Sequence, residues 1–195
     1  MKKLIALSII TLFAFATENN VTKIKPVDNQ EIAKEGVKYI KMLGKELKSH
    51  VKAKLKEDPS GIEAAKFCSQ NAGKIAQKVM QKFPDNVKVR RVAIKYRNPN
   101  NKPDETDLKV LKKMEEELKA QTLQKKPIVV DVNGVKRVYV PLIVEKACLK
   151  CHGDMKNMNS MVRRIIKKKY PEDKAVGFKE GDLRGAVVAE IVPKM

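Results

Sequence analysis

The sequence predicts an α+β domain in which long helices come first and an antiparallel sheet later. Three observations carry this. Two stretches in the first half place apolar residues every three or four positions, the period of a helix with one buried face. Four later stretches are rich in β-branched residues, which favour strands. Between two of these lies Asn133-Gly134, a dipeptide that favours a two-residue hairpin turn.

The elements follow in order. From Gln30 to Lys56, Ile40, Leu43, Leu47, Val51 and Leu55 share one face of a long amphipathic helix. Asp58-Pro59 reads as an N-cap with proline at the first helical position. The spacing predicts a second helix to about Lys82, with Ala65, Cys68, Ala72, Ile75 and Val79 turned inward. Phe83 to Asn86 ends it. Val87 to Ile94 reads as a strand, and Arg97 to Asp104 as a loop by its Asn and Pro content. A third helix is expected over about Glu105 to Gln121. A hairpin follows, Ile128–Val132 with Val135–Val144. A short basic helix is expected around Ser160 to Lys169, and a last strand over Gly185 to Val192.

Cys148-Leu149-Lys150-Cys151-His152 is the attachment pattern of a c-type haem. Two thiols two residues apart can each add to a vinyl group of one porphyrin, and the next residue brings an imidazole to the iron. A zinc site would need further ligands. Only Cys68 and His50 remain, at spacings that match no common zinc module. A redox Cys-x-x-Cys should open the helix of a βαβ unit, whereas this one follows a strand-like run. The expected cofactor is therefore one covalent haem c, held by Cys148 and Cys151, with His152 as an axial iron ligand.

The N-terminus agrees with export. Met1-Lys2-Lys3 is basic, Leu4 to Phe13 is apolar, and Ala14-Phe15-Ala16 is an A-x-A cleavage pattern. The apolar run falls short of the roughly 20 residues of a membrane span, so a retained anchor is the weaker alternative. Residues 1–16 read as a signal peptide, 17–33 as an N-terminal extension and 34–195 as the haem domain. The expected product is periplasmic and soluble, without a stable membrane span after cleavage. The formal charge of +19 favours an acidic redox or signalling partner. Its plainer explanation is a solvated lysine-rich surface. Nucleic acid is not expected as a partner of an exported chain.

Several segments together resemble a family of single-haem c-type domains, long catalogued as a domain of unknown function. They are Gly61 to Cys68, Arg91 to Asp104, Tyr139 to Leu142 followed by Cys148 to Gly153, and Gly177 to Ala186. The resemblance spans about Lys34 to Pro193. It implies a PAS-like fold, found in stand-alone exported proteins and in the extracytoplasmic input domains of membrane-bound signalling proteins. Ala93 departs from the family, which more often has a small hydroxyl residue there. That puts one local hydrogen bond in question.

The sixth iron ligand has several candidates. The resemblance implies that Cys68 ligates the iron, although a lone inward cysteine is ordinarily an inert core residue. His50 lies at the edge of the first helix's stripe. Met155, Met158 and Met161 follow the motif too closely to reach the far haem face easily. Met42, Met80 and Met114 are better placed but usual core residues. Arg91 and Arg97 are the candidate partners of the haem propionates, with bracing of the loop as the alternative for Arg97. A thiolate ligand predicts a low potential and a redox or gas sensor; methionine would predict a high potential and an electron carrier. An iron with both axial positions filled has none for substrate, so an enzyme is not expected.

Overall fold

Six α-helices and a four-stranded antiparallel sheet are found among residues 30–124 and 126–193, which the computed structural model describes. The expected signal peptide, 1–16, and positions 17–29 of the expected extension lie outside these residues. No helix among the described residues is long and apolar enough to cross a membrane.

Helix α1, Gln30–Glu57, runs as its apolar spacing predicts. Tyr39, Ile40 and Leu43 are buried against one face of the sheet, on Val87, Val89, Val138, Val187 and Ile191. Farther along the same stripe, Val51 and Leu55 leave the sheet and line a cavity. Gly36 is where α1 comes closest to the sheet. A Cβ there would stand 2.5 Å from Val138 Cγ2, and Val138 is fully buried and cannot yield. Gly36→Ala is therefore expected to destabilise the protein by about 1–3 kcal/mol, the usual cost of overpacking. Urea unfolding measures this, and an unchanged midpoint would refute the close approach.

The expected second helix is two helices, α2 (Ile62–Gln70) and α3 (Ala72–Met80). At Asn71 the backbone opens to φ −117°. Asn71 N–H still donates to Phe67 O at 2.8 Å, and its carbonyl accepts from Ile75 at 3.0 Å. These two bonds flank the bend, where Asn71 and Gly73 give low helix propensity. The start also differs. Gly61, at φ +87°, occupies the N-cap. Asp58 instead accepts from the N–H groups of Ser60 at 2.9 Å and Glu63 at 3.1 Å. Its carboxylate serves the helix start from outside, and Pro59 is not helical.

The strands are β1 (Val87–Val92), β2 (Ile128–Val132), β3 (Val135–Ile143) and β4 (Leu183–Ile191), in the order β1-β4-β3-β2. The hairpin joining β2 and β3 turns at Asn133 (φ +52°) and Gly134 (φ +85°), the paired positive angles its dipeptide predicts. Alternation along the strands sorts residues between two layers. One face meets α1 and α3. The other, with Val92, Val130, Tyr139, Ala186 and Val188, meets Val110, Leu111 and Met114 of α4 (Glu105–Lys119). Asp104 caps α4 by accepting from Asp107 N–H at 2.8 Å.

After β3 a 3-10 turn, Lys146–Cys148, leads into α5 (Leu149–His152), a single helical turn. Helix α6 (Ser160–Lys169) follows where the sequence predicts it. Its Val162 and Ile166 pack on Ala65 of α2. The chain returns through residues 170–182 into β4.

Candidate functional site

A cavity of about 530 Å³ opens between the end of α1, helices α2, α3 and α6, the loop after β1, and the Cys148–His152 turn. Cys68, Arg91, Arg97, Cys148, Cys151 and His152, the residues singled out from sequence, all line it. A larger hollow of about 920 Å³ between α1, α4 and β2 carries none of them.

The Cys148–His152 turn owes its shape to helical geometry. Cys148 closes the 3-10 turn and Cys151 lies one helical turn on, so both thiols face the same side. Both are half-buried. Burial, then the neighbouring Cys68, pushes the Cys151 thiol up to about 11. His152 Nδ1 lies 2.8 Å from Ala175 O. A carbonyl only accepts, so Nδ1 carries the proton and Nε2 keeps its lone pair for a metal. Burial, with Arg97 and Arg184 close by, drives the imidazole well below its ordinary pKa, so it is neutral at neutral pH. The ring meets Phe178 edge-on at 6.3 Å. Phe178 N–H donates to His152 O at 3.0 Å, and Gly177 N–H to Gly153 O at 2.8 Å, tying the turn to the segment before β4.

Cys68 requires a correction. Its stripe position predicts a buried side chain, but the residue is exposed. Ala65 is buried as expected, and Ala64 and Phe67 beside it are buried too. At the height of Cys68, however, the inward face of α2 opens onto the cavity instead of onto packed side chains. The thiol is reachable through the cavity yet crowded by protein. Burial accordingly raises its pKa, while Arg91 and Arg97 pull it down.

The other candidate ligands fall outside the cavity lining. His50 stacks on Phe67 at 5.3 Å and reaches Glu46 at 3.3 Å. Met114 is fully buried on the α4 side of the sheet, and Met158 is buried beside α6. Met80 packs at the edge of the α1 core. Met42, Met155 and Met161 are exposed.

Arg97 is committed to the protein. It forms an ion pair with Asp173 at 3.0 Å and donates to Cys151 O at 2.6 Å and Ala175 O at 3.1 Å. It therefore braces both the thiol-bearing turn and the carbonyl that orients His152. At the Ala93 departure, the backbone N–H donates to Asn101 O at 3.1 Å, so this strand-to-loop bond needs no side-chain hydroxyl. Among the lining residues that sequence reasoning missed are Tyr170 and Arg184. Arg184 stands inside the Gly177–Ala186 segment, but nothing in its local pattern distinguishes it from a solvated strand arginine.

No curated protein matches the chain. The fold is similar to the crystal structure of the cyanobacterial heme-protein Tll0287, with a TM-score of 0.63 and 27% sequence identity over 87% of this chain and 98% of that one. The Tll0287-like family model matches residues 22–192, a span that contains every cavity-lining residue named above. On that match, the chain belongs to the Tll0287-like family.

Proposed function

We propose that this protein is an exported, periplasmic haem protein that carries one covalent haem c and acts as a redox- or gas-responsive signalling module, not as an enzyme. The observation that carries the reading is the cavity in which Cys148, Cys151 and His152 face the same space as Cys68. The donor set fits the cofactor. Two thiols stand one helical turn apart, an imidazole keeps Nε2 unspent, and a third sulfur, that of Cys68, lies on the α2 wall. The volume falls within the roughly 300–1,000 Å³ usual for cofactor pockets. The family relative's description as a heme-protein supports the same assignment.

Cys148 and Cys151 would hold the haem covalently through thioethers, and His152 Nε2 and the Cys68 thiolate would hold its iron. The bound haem would supply one-electron chemistry and an axial position for small diatomic ligands. Ala175 O and Arg97 hold His152 and its turn in place. Thiolate charge from Cys68 favours ferric iron and hence a low potential. Under the sensing reading, Cys68 would be the exchangeable holder of the iron. Export rests on the residue 1–16 pattern. Signalling would pass to an acidic protein partner.

An electron-carrier reading draws on a different observation. Lys74 and Lys169 line the cavity, and Lys167, Lys168 and Lys169 crowd the last turn of α6. Such a rim suits docking to an acidic redox protein.

The test is spectroscopy of the matured protein, ferric and ferrous, beside Cys68→Ala. The unmodified protein is expected to show a thiolate-type low-spin ferric signature and to bind carbon monoxide only when reduced. Cys68→Ala is expected to lose that signature and raise the potential. An identical ferric spectrum in the variant, or a methionine-type absorption in the unmodified protein, would sink the Cys68 assignment. Unchanged ligation on reduction, with strongly salt-dependent electron exchange, would favour the carrier.

A further inference from the structure

Three arginines face the cavity, and they differ in how their charge is met. Arg97 has Asp173. Among the described residues, neither Arg91 nor Arg184 has a carboxylate within ion-pair distance. Arg184 is nonetheless held firmly. Its Nη1 donates to Lys95 O at 3.0 Å, and its Cζ lies 5.3 Å from the Phe178 ring centre. A carbonyl and an aromatic face fix the guanidinium without neutralising it. Phe178 is itself fixed, with Lys95 Nζ 4.4 Å from its centre.

The two uncompensated arginines stand together. Arg91 is near the end of β1 and Arg184 near the start of β4, and these strands are paired, Arg91 opposite Val187. Burial, then Arg97 and Arg91, lowers the Arg184 pKa to about 10, so the like charges feel one another. Arg91 is exposed and Arg184 half-buried; a half-buried charge with like charges beside it costs free energy unless an anion shares the site.

We propose that Arg91 and Arg184 form a two-point carboxylate clamp that receives the two propionates of the bound porphyrin. This rests on the haem reading above. It matches two carboxylates to two arginines and leaves Arg97 to brace the Cys148–His152 turn. Arginine suits the task because its planar fork meets a carboxylate with two parallel hydrogen bonds.

The experiment uses the full chain matured with covalent haem, comparing Arg91→Gln, Arg184→Gln, Arg184→Lys and Arg97→Gln. Mass spectrometry and the ferric spectrum report attachment and axial ligation. Resonance Raman reports the propionate bending modes, and voltammetry the potential against pH. Arg91→Gln and Arg184→Gln are each expected to shift the propionate modes and lower the potential. Each is also expected to introduce a pH slope that the unmodified protein lacks, with axial ligation unchanged. Arg184→Lys, which keeps the charge but not the fork, is expected to shift the same modes; it carries the test if Arg184→Gln fails to mature. Arg97→Gln is expected to alter the axial signature instead. Propionate modes and a potential unchanged in both Gln variants, with haem attached, would overturn the clamp alone. Absence of covalent haem from the unmodified protein would overturn the functional reading itself.

Discussion

Replacing both Cys148 and Cys151 by Ser is expected to yield a protein from which acid and organic solvent extract all haem, whereas the unmodified protein retains it. The two thiols lie one helical turn apart on one side of the Cys148–His152 turn, and serine forms no thioether. Cys68 is no substitute, because it sits on α2 and no histidine follows it. Each single variant should keep one thioether, with an absorption band displaced by the unreacted vinyl group. Loss of the cofactor should also lower the melting temperature, since a group bound only to the folded state stabilises that state. Pyridine haemochrome spectra after extraction make the measurement. Haem retained covalently in the double variant would remove the attachment assignment.

Asp107→Ala is expected to destabilise the fold by about 3–5 kcal/mol, the usual cost of leaving a buried charge without its partner. Asp107 is fully buried in the first turn of α4. It accepts from Arg90 at 2.7 and 3.0 Å and from the Tyr139 hydroxyl at 2.8 Å. Its truncation would strand the Arg90 charge, which keeps only Glu190 and the more distant Asp104, and a fully buried phenol. It would also remove the carboxylate that accepts from Asp104 N–H at the start of α4. Asp107→Asn should cost less, because it keeps volume and one acceptor. Urea unfolding decides, and a loss under about 1 kcal/mol would show that water enters and replaces the carboxylate.

The same cluster carries a pH dependence. Burial alone would raise the Asp104 carboxyl. The Asp107 N–H and the Arg137 guanidinium outweigh it and hold the group below its ordinary value. A depressed carboxylate stabilises the fold above its unfolded pKa, roughly 3.9. That contribution fades as the pH falls through the lower, folded value.

Much of the architecture was legible because it is local. The α1 stripe, the Asn133-Gly134 turn and the α6 limits each depend on residues within a few positions of one another. The break at Asn71 was not legible, because helical spacing continues across it and only a modest change of φ marks the bend. The environment of Cys68 was misread for a related reason. Periodicity identifies the face of a helix that turns inward, but not whether side chains or a cavity meet it there.

The sequence by itself determined the α+β order, the paired thiols with their histidine, and the cysteine set apart from them. Their chemistry lies in residue type and short spacing, which survive without a fold. Tertiary structure alone decided that Cys68 faces the same cavity as His152, across more than eighty positions of chain, while His50 and the methionines do not. It also decided that Arg97 is spent on Asp173 and two carbonyls while Arg184, an unremarked strand residue, stands without a carboxylate. Whether a charge is met depends on what the folded chain brings within a few ångströms of it, and residues distant in sequence supply most of those neighbours.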